Sequence, residues 1–480
     1  MKATTKIDNY KNFDSELELI SSIDCFDKSV VFLSKEDMFS TKGTITKQNK
    51  KLIIEINDLS FDKIDYSEKI NDIKVQIGDL KCIIDSFHIQ STNTLANESG
   101  VYRSVICTSN ILKNKKFDGL KSKFKCFIST DISELRTFHC HFETVTYQDK
   151  ETEYFYDCLR IKLEDNTFDI SQIKSENKGF FVIECFQEIE FQAFCDYCFS
   201  IKQALGFITS YMPGVDEYFF TDKQDFYYCN YHRPEIDSMY QPLNWNPYSI
   251  LFEKREIAKK YMEKLTRLQL TNLSVFVSLI HNNQELSAGI ILLMEASSVR
   301  SFLIVPSIFS VIIESLTKII SKSESGKILP IEDIELARTL KMKLNEVVDS
   351  FNEKISSDGK IKIKRRINEI NKPIVKEHLT NNEKLSLPFE QLGIKLSMDD
   401  ISAIEHRNDL LHGNILLISE ELKSEKDINN YMGYISGRLY TLISALILKS
   451  IGYDGYIINH SKFFEDFCGI KTNEDYYRII

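Results

Sequence analysis

Short apolar runs, some alternating with polar residues, follow one another through the first half of the chain, from about residue 28 to residue 191. Polar turns separate them, and this spacing is typical of strands in an antiparallel sandwich or barrel. The β-branched and aromatic residues also crowd into this half, where they favour strands over helices. The first half is therefore predicted to be an antiparallel β-rich domain, from runs at residues 30–33, 52–56, 124–128, 138–145 and 180–183.

The segment 138–142 reads Phe-His-Cys-His-Phe, and a period of two places His139 and His141 on one face of a strand. The Phe and Cys side chains occupy the other face, as in an ordinary half-buried strand, so we interpret these histidines as strand residues. Farther along, helical spacing predicts a helix over 191–207. The aromatic runs 218–220 and 226–228 predict a further hairpin.

Helical periods take over from about residue 251. Helices joined by short polar loops predict an all-α bundle. Asn, Pro and Tyr are frequent at 241–248, which makes this stretch a candidate boundary. We expect an α+β multidomain fold, with an N-terminal antiparallel β-rich sensor or regulatory domain over 1–240 and a C-terminal all-α helical domain over 241–480 (bundle core about 280–460). The candidate helices lie near 254–268, 284–297, 302–321, 331–354, 398–412 and 424–451.

The chain has 480 residues, a net charge of −10 and a sequence pI of about 5.6. Such a surface repels nucleic acid as a whole, so contact with RNA has to come from a local basic patch. The N-terminal residues do not form the apolar core of a secretory signal. Glu295, Arg300 and Pro306 interrupt the long apolar stretch 288–313, which makes it a poor membrane span. We therefore expect a cytoplasmic protein that does not enter a membrane.

Eleven cysteines are scattered along the chain without a disulfide framework, which is typical of buried thiols in a reducing compartment. Cys195 and Cys198 are the only close pair. The side chains that could complete a zinc site with them do not have finger-like spacing. We predict a packing role for this pair on a helix, and we predict no metal and no cofactor.

A helix with clear start and stop signals is predicted over 398–412. Ser397 followed by Asp400 is a start signal, because the hydroxyl and the carboxylate cover free backbone amides of the first turn. Gly413 and Asn414 form the matching stop signal. We call this predicted helix the motif helix.

Polar residues interrupt the apolar face of the motif helix. At about 100° per residue, His412 and Glu405 lie along the edge of this face, and Arg407 lies on the opposite flank. Burying an unpaired amide, imidazole or guanidinium costs roughly 1 to 3 kcal/mol, so these groups need partners, an interface or a chemical role. The face itself is formed by Ile401, Ile404, Asn408 and Leu411.

This arrangement fits the needs of RNA cleavage by the 2′-hydroxyl. The reaction requires a group of near-neutral pKa to move a proton and a fixed cation beside the phosphoryl group. His412 is predicted to shuttle the proton, and Arg407 is predicted to hold the charge. The last turn of a helix favours an imidazolium, because its free carbonyl groups carry partial negative charge.

The segment 403–413 reads Ala-Ile-Glu-His-Arg-Asn-Asp-Leu-Leu-His-Gly and resembles the Arg-x(4–6)-His signature of HEPN domains. Its extended form, Arg-Asn-x-Leu-x-His-Gly, resembles the Apea-like HEPN group of prokaryotic defence proteins, and the similarity covers about residues 280–460. The resemblance implies that Arg407 and His412 are catalytic and that Asn408 assists them. It also implies a metal-independent ribonuclease site where the motif helices of a homodimer or higher homo-oligomer meet. The implied products carry a 2′,3′-cyclic phosphate and a 5′-hydroxyl.

The family resemblance further implies an abortive-infection toxin in antiviral defence, with tRNA or messenger RNA as the substrate. The β-rich domain is then expected to restrain the ribonuclease until a phage-derived or cellular trigger binds it. Glu314 and Glu405 are predicted supporting residues, although a salt bridge from Glu314 to Lys318, four residues on, explains Glu314 equally well.

A basic stretch at 360–376 precedes the motif helix, and Lys364, Arg365 and Arg366 are predicted to contact the RNA backbone. A solvated helix face is the alternative interpretation of these charges. For the whole chain, the alternatives to an endoribonuclease are a non-cleaving HEPN protein that binds nucleotide or RNA, and a dimerising interaction scaffold. Intact Arg407 and His412 argue against a degenerate, non-cleaving copy.

Overall fold

The structure is a computed structural model, and strands dominate its first half whereas helices dominate its second half. The predicted change from a β-rich to a helical region is therefore confirmed. The residues described are 6–7, 13–24, 27–33, 40–48, 51–56, 72–77, 80–85, 88–97, 100–148, 155–175, 178–214, 216–230, 235–299, 304–321, 331, 333–351, 354–371, 381–406 and 424–480.

Sixteen of the described strands form one sheet, in which every pairing is antiparallel except that of the first strand. The strands are β1 (Lys6–Ile7), β2 (Asp27–Leu33), β3 (Ser40–Gln48), β4 (Lys51–Ile56), β5 (Asp72–Ile77), β6 (Leu80–Asp85), β7 (His88–Asn97), β8 (Gly100–Ser109), β9 (Ile111–Lys113), β10 (Lys121–Ser122), β11 (Phe124–Thr130), β12 (Val145–Gln148), β13 (Phe155–Leu163), β14 (Asn166–Ser175), β15 (Lys178–Cys185), β16 (Ile189–Glu190), β17 (Tyr211–Met212), β18 (Glu217–Thr221), β19 (Phe226–Cys229), β20 (Ile236–Asp237), β21 (Tyr456–Ile458) and β22 (Tyr477–Ile479).

The order of strands in the large sheet is β1-β12-β13-β14-β15-β11-β18-β19-β9-β6-β5-β2-β3-β4-β8-β7. Separate two-stranded pairs are β10–β16, β17–β20 and β21–β22. The predicted hairpin is confirmed, since β18 and β19 pair antiparallel with Phe220 opposite Phe226. Buried side chains of β3, β4, β5, β6, β8 and β9 share one core with those of β14, β15, β18 and β19, so the sheet curls and its two parts face each other.

The central strands of the sheet are buried on both faces. On β11, Phe124, Cys126 and Ile128 point toward the helices, whereas Phe127 points into the core between the two parts of the sheet. The period of two makes this division, because successive side chains leave a strand on opposite sides. Two buried faces explain why the run 180–183 is apolar throughout instead of alternating. The run 124–128 is interrupted only by Lys125, whose side chain is 31% exposed and pairs with Glu16.

The described helices lie mostly in the second half, where the longest one runs through the centre of the bundle and packs on its neighbours. The predicted helix over 191–207 is confirmed. The helices are α1 (Asp14–Asp24), α2 (Phe191–Thr209), α3 (Pro247–Ile250), α4 (Arg255–Met262), α5 (Leu270–Asn282), α6 (Gln284–Ser298), α7 (Val305–Ser321), α8 (Ile334–Ser350), α9 (Ser357–Asn368), α10 (Asn381–Gln391), α11 (Met398–Glu405), α12 (Glu425–Ser450), α13 (His460–Phe463) and α14 (Glu465–Cys468).

One hydrophobic core, which we call the shared core, contains side chains from both halves of the chain. Helix α2 of the β-rich half packs against α5 and α6 of the helical half. Phe207 on α2 lies with its ring centroid 5.6 Å from that of Phe276 on α5 and 6.3 Å from that of Tyr440 on α12. The division into domains at residue 240 stays a prediction, and the shared core extends across it.

The segment 240–245 forms a seam that both halves hold by hydrogen bonds. On one side, His141 Nδ1 lies 3.0 Å from the carbonyl oxygen of Leu243. On the other side, His460 Nε2 lies 2.7 Å from the carbonyl oxygen of Gln241. Burial lowers the pKa of each histidine to about 4, so both rings are neutral at neutral pH. The neutral rings therefore serve as structural hydrogen-bond donors in the seam.

The strand predicted over 138–142 is wrong. Phe138–Cys140 forms a 3₁₀ turn, in which the backbone amides of His141 and Phe142 donate to the carbonyl oxygen of Phe138. The pattern misled because two positions four apart share a face both in a strand and in a helical turn. Phe138 and Phe142 are buried edge to face, and His141 is buried as well, which a solvent-facing strand position would not allow.

Seven of the described helices were not predicted: α1, α5, α9, α10 and the four-residue helices α3, α13 and α14. The buried residues of α5, Leu273, Phe276, Val277 and Ile280, do follow a helical period, but Val275 and Leu279 on its outer side are apolar too and hide that period in the sequence. Helix α9 carries few apolar side chains. Among the described residues, no helix has the length and apolar character needed to span a membrane. The described cysteines form no disulfide, and burial raises the pKa of Cys82 to about 12 and that of Cys107 to about 11.

Candidate active site

The three predicted catalytic residues, Arg407, Asn408 and His412, lie outside the described residues. The stop signal at Gly413 and Asn414 lies outside them too. The structure does describe the chain up to His406 and again from residue 424. The site is therefore built from the start of the motif helix, which is α11, and from the side chains that hold it.

The predicted start of the motif helix is confirmed. Ser397 Oγ accepts a hydrogen bond from the amide of Asp400 at 3.2 Å, and Asp400 Oδ2 accepts one from the amide of Ser397 at 2.8 Å. This reciprocal capping box fixes the first turn. The described helix ends at Glu405, whose side chain is exposed, and His406 is its C-cap. Within the described residues, Glu405 therefore faces solvent, and its supporting role stays a prediction.

Of the predicted apolar face, Ile401 and Ile404 lie in α11, whereas Asn408 and Leu411 lie outside the described residues. Ala403 and Ile404 are buried, but Ile401 is 37% exposed and Asp400 takes the buried place beside them. A carboxylate on the inner face costs free energy unless charged or hydrogen-bonding partners surround it. Asp400 has such partners.

Asp400 belongs to a buried ionic cluster that we call the Asp400 cluster, defined by Asp400, Arg438, Glu474 and Arg478. Arg438, on α12, places Nη1 2.8 Å from Asp400 Oδ1 and 3.0 Å from Glu474 Oε1. Arg478, on β22, places Nη1 2.8 Å from Asp400 Oδ2. The carboxylate of Asp400 is thus held by one guanidinium at each oxygen.

The central pair of the cluster lies out of water, since the side chain of Arg438 is 2% exposed and that of Asp400 is 1% exposed. Glu474 and Arg478 lie at its edge, 26% and 19% exposed. Burial by itself lowers the pKa of Arg438, but the hydrogen bond to Glu474 and the nearby negative charges raise it above the ordinary arginine value. The guanidinium therefore stays charged. Arg438 Nε also donates to the hydroxyl of Tyr434 at 3.0 Å, which leaves its plane little freedom to turn.

The Asp400 cluster was not predicted from the sequence. A signal was present, because Arg438 stands in the middle of the run 431–448, which is otherwise apolar, small or weakly polar. An arginine at such a place must either reach solvent or meet buried acids. Its partners could not be named from the sequence, since they lie dozens of residues away on either side.

Glu314 lies on α7 and forms an ion pair with Lys318, with Oε1 2.8 Å from Nζ. This is the salt bridge that the sequence analysis gave as the alternative to a supporting role. The side chain of Glu314 is 30% exposed. Its role beside the motif stays a prediction.

The predicted RNA-binding residues lie on α9, which packs mainly against α8; we call these two helices the arm. Lys364 is engaged, because its Nζ lies 2.7 Å from Asp349 Oδ1 on α8. Arg365 and Arg366 are exposed. Lys362 is exposed as well, and its spacing of three and four from the two arginines places all three cations on one face. This face is therefore a local basic patch on a chain whose net charge is −10.

The β-rich half contains a cleft of about 430 Å³ between α1 and the β18–β19 hairpin. Polar side chains and two buried phenylalanines line it: Ser15, Glu16, Glu18, Ser22, Asn114, Thr221, Gln224, Phe220 and Phe226. Hydroxyl, amide and carboxylate groups around an aromatic floor can orient a polar ligand.

Within the described ranges, no group of three or more His, Cys, Asp or Glu side chains could hold a metal ion. Cys195 and Cys198 lie on α2 in the shared core, and burial raises the pKa of both thiols. Comparison with known proteins gives no match, since no family model, no curated protein and no solved structure matches the chain.

Proposed function

We propose that this protein is a metal-independent HEPN endoribonuclease with Arg407 and His412 as catalytic residues and Asn408 beside them. The observation that supports it best is the capping box of Ser397 and Asp400. It starts α11 at the predicted residue; the described helix ends at Glu405, and the predicted continuation over 407–412 lies outside the described residues. The buried inner face of α11 further indicates that this helix is held against the bundle.

In the proposed reaction, a homodimer supplies two copies of His412. One imidazole accepts the proton of the RNA 2′-hydroxyl while its oxygen attacks phosphorus, and the bond to the 5′-oxygen breaks. The second, as an imidazolium, gives a proton to the leaving 5′-oxygen. Arg407 stabilises the negative charge on the phosphoryl oxygens. The products are a 2′,3′-cyclic phosphate and a 5′-hydroxyl, so protons and bonds balance without an added cofactor.

We propose further that the exposed cations of α9 guide the RNA backbone. The chain as a whole carries −10, so RNA approaches only where cations gather. Lys362, Arg365 and Arg366 offer three such charges on one helix face. Lys364 contributes less than the sequence suggested, because Asp349 already neutralises it.

The β-rich half is the proposed site of regulation, as expected of an abortive-infection toxin in antiviral defence. A trigger bound in the cleft beside α1 would contact the β18–β19 hairpin. Phe219 of that hairpin packs into the shared core with α2, which in turn contacts α5 and α6. Packed side chains thus connect the hairpin beside the cleft with the bundle, and this continuity supports the proposal.

The experiment that tests the proposal incubates purified full-length protein with total cellular RNA in EDTA. Wild type should cut RNA, whereas His412→Ala and Arg407→Ala should each reduce cleavage by roughly 10² to 10⁴-fold. His88→Ala, at an exposed histidine on β7, is the matched control and should cleave normally. The new ends should carry cyclic phosphate.

Cleavage that disappears in EDTA, or that persists in His412→Ala, would overturn the proposal. The alternative is a protein that binds RNA without cutting it, and the observation in its favour is the cationic face of α9. Binding of RNA by wild type and by His412→Ala with no cleavage by either would select that alternative.

A further inference from the structure

The Asp400 cluster holds the motif helix at its first turn. Asp400 Oδ1 accepts a hydrogen bond from Arg438, while Oδ2 accepts hydrogen bonds from Arg478 and from the amide of Ser397. Arg478 also donates to the carbonyl oxygen of Lys395, just before the helix. Three elements, α11, α12 and β22, are therefore joined at a single carboxylate.

The apolar contacts of α11 cannot by themselves fix its rotation. Its buried apolar side chains in the described part are Ala403 and Ile404, adjacent residues of modest size. A small apolar contact tolerates rotation of a short helix, since dispersion forces have no directional preference. Hydrogen bonds to both oxygens of Asp400 do have direction, and they fix the angle at which the helix leaves the cluster.

Stability alone is a weak explanation for this cluster. The desolvation cost of a buried ion pair often equals its Coulombic gain, so an apolar set of similar volume would hold the helix as firmly. Such pairs are of value where they select one geometry among several. A catalytic helix needs this, because displacement of a reacting group by about 1 Å can reduce a rate by roughly 100-fold.

We propose that Asp400, held between Arg438 and Arg478, is the positioning residue of the ribonuclease site. It sets the rotation and direction of α11, the described helix whose C-cap His406 directly precedes Arg407 in the sequence. The inference rests on the proposed function and deepens it. Activity of the site then also depends on Arg478 and Glu474, which lie far from the motif in sequence.

The test uses Arg478→Gln in the full chain, because the Arg478 side chain is 19% exposed and its loss is tolerated better than that of Arg438. We expect kcat for RNA cleavage to fall about 10- to 100-fold, with KM changed less than about threefold. Arg478→Lys, which keeps the charge, should recover part of kcat. Glu474→Gln is a second variant, and Arg255→Gln on α4, at an exposed arginine, is the matched control.

All rates are measured well below the Tm of each variant, so that a loss of folded protein does not imitate a loss of kcat. A kcat of Arg478→Gln and Glu474→Gln equal to that of the control would overturn the inference. Hydrogen exchange of amides in 397–412 gives a second readout that does not need activity. If wild type cuts no RNA, the proposed function fails and the inference, which rests on it, fails with it; if wild type cuts RNA but Arg478→Gln leaves both kcat and exchange unchanged, the inference alone is overturned.

Discussion

In the shared core, Phe207 is fully buried between rings from two other helices, whereas on the arm Leu336 and Val347 are 57% and 54% exposed. The core also pairs its polar groups with backbone partners, as His141 and His460 do at the seam. The arm directs Lys362 and its neighbouring arginines outward. Side chains of similar chemistry thus face inward in one region and outward in the other.

This difference separates folding from contact with other molecules. Each buried apolar side chain of the shared core contributes on the order of 2 kcal/mol by leaving water, and both halves of the chain depend on it. The exposed side chains of the arm contribute little to the free energy of unfolding. Substitution in the core should therefore change whether the protein folds, and substitution on the arm should change what the folded protein binds.

The largest effect is expected for Phe207→Ala in the shared core. Removing a fully buried ring leaves a cavity among Phe276 and Tyr440, and it should reduce the free energy of unfolding by about 3 to 5 kcal/mol. Urea denaturation followed by circular dichroism measures the change. Phe252→Ala, at a ring that is 68% exposed, is the control and should shift stability by less than about 0.5 kcal/mol. Equal losses in both variants would contradict the comparison.

The same core argues against testing regulation with a fragment of the helical half. A chain cut near residue 240 would expose Phe276 and the other side chains that α2 covers. Such a fragment would lose activity through poor folding whatever the role of the β-rich half. Substitutions in the cleft beside α1 leave the shared core intact and are the better test of a trigger site.

The next effect concerns pH and the seam. Burial lowers the pKa of His141 and His460 to about 4, so between about pH 7 and pH 5 the unfolded chain takes up protons that the folded chain excludes. Lowering the pH from about 7 to about 5 should therefore reduce the free energy of unfolding by roughly 2 kcal/mol per histidine. Urea titrations at both pH values measure it.

His141→Asn and His460→Gln are the control variants, because each amide can still donate to the seam carbonyl yet cannot titrate. Each should remove about half of the pH dependence. A pH dependence equal to that of wild type in the double variant would show that other groups cause it.

A smaller effect is expected from a pair of helical glycines. A Cβ at Gly437 on α12 would lie 3.0 Å from the carbonyl carbon of His460, which is backbone that cannot move aside cheaply. Gly437→Ala should therefore reduce the free energy of unfolding by about 1 to 3 kcal/mol. A Cβ at Gly289 on α6 meets nothing within 4 Å, so Gly289→Ala should raise stability by up to about 1 kcal/mol. Thermal denaturation of the two variants measures this difference, and a stabilised Gly437→Ala would contradict the close packing.

The sequence predicted those elements whose signals are local. The capping box at Ser397 and Asp400 needs only residues three apart, and both of its hydrogen bonds are present. The β18–β19 hairpin likewise follows from two adjacent aromatic runs. The 3₁₀ turn at Phe138 was missed because a spacing of four fits two periods at once.

Features that depend on distant partners could not be predicted. Arg438 is neutralised by Asp400 and Glu474, and the sequence does not indicate which acids fold against a given arginine. The shared core poses the same problem, since nothing local shows that Phe207 meets Phe276. The motif of Arg407 and His412 stays a prediction from the sequence, supported by the helix start but outside the described residues.

The smallest effect on stability is expected on the arm, in the triple variant Lys362→Gln, Arg365→Gln and Arg366→Gln. All three side chains are exposed, so the free energy of unfolding should change by less than about 0.5 kcal/mol. If these cations contact phosphates of single-stranded RNA, the slope of log affinity against log salt should fall by about 2, since each contact contributes about 0.7. Fluorescence anisotropy with a labelled RNA in a salt series measures it.

The matched control replaces three exposed cations on another helix, Arg255→Gln, Lys259→Gln and Lys260→Gln on α4. This change removes the same net charge, so general electrostatic attraction weakens equally in both triples. If RNA contacts the α9 cations specifically, the arm variant should lose more affinity and more salt dependence than the control. Equal losses would mean that RNA senses the charge of the whole chain and that α9 is an ordinary solvated face. A larger loss in the arm variant, with unfolding unchanged, would show that side chains left outside the core are used for binding.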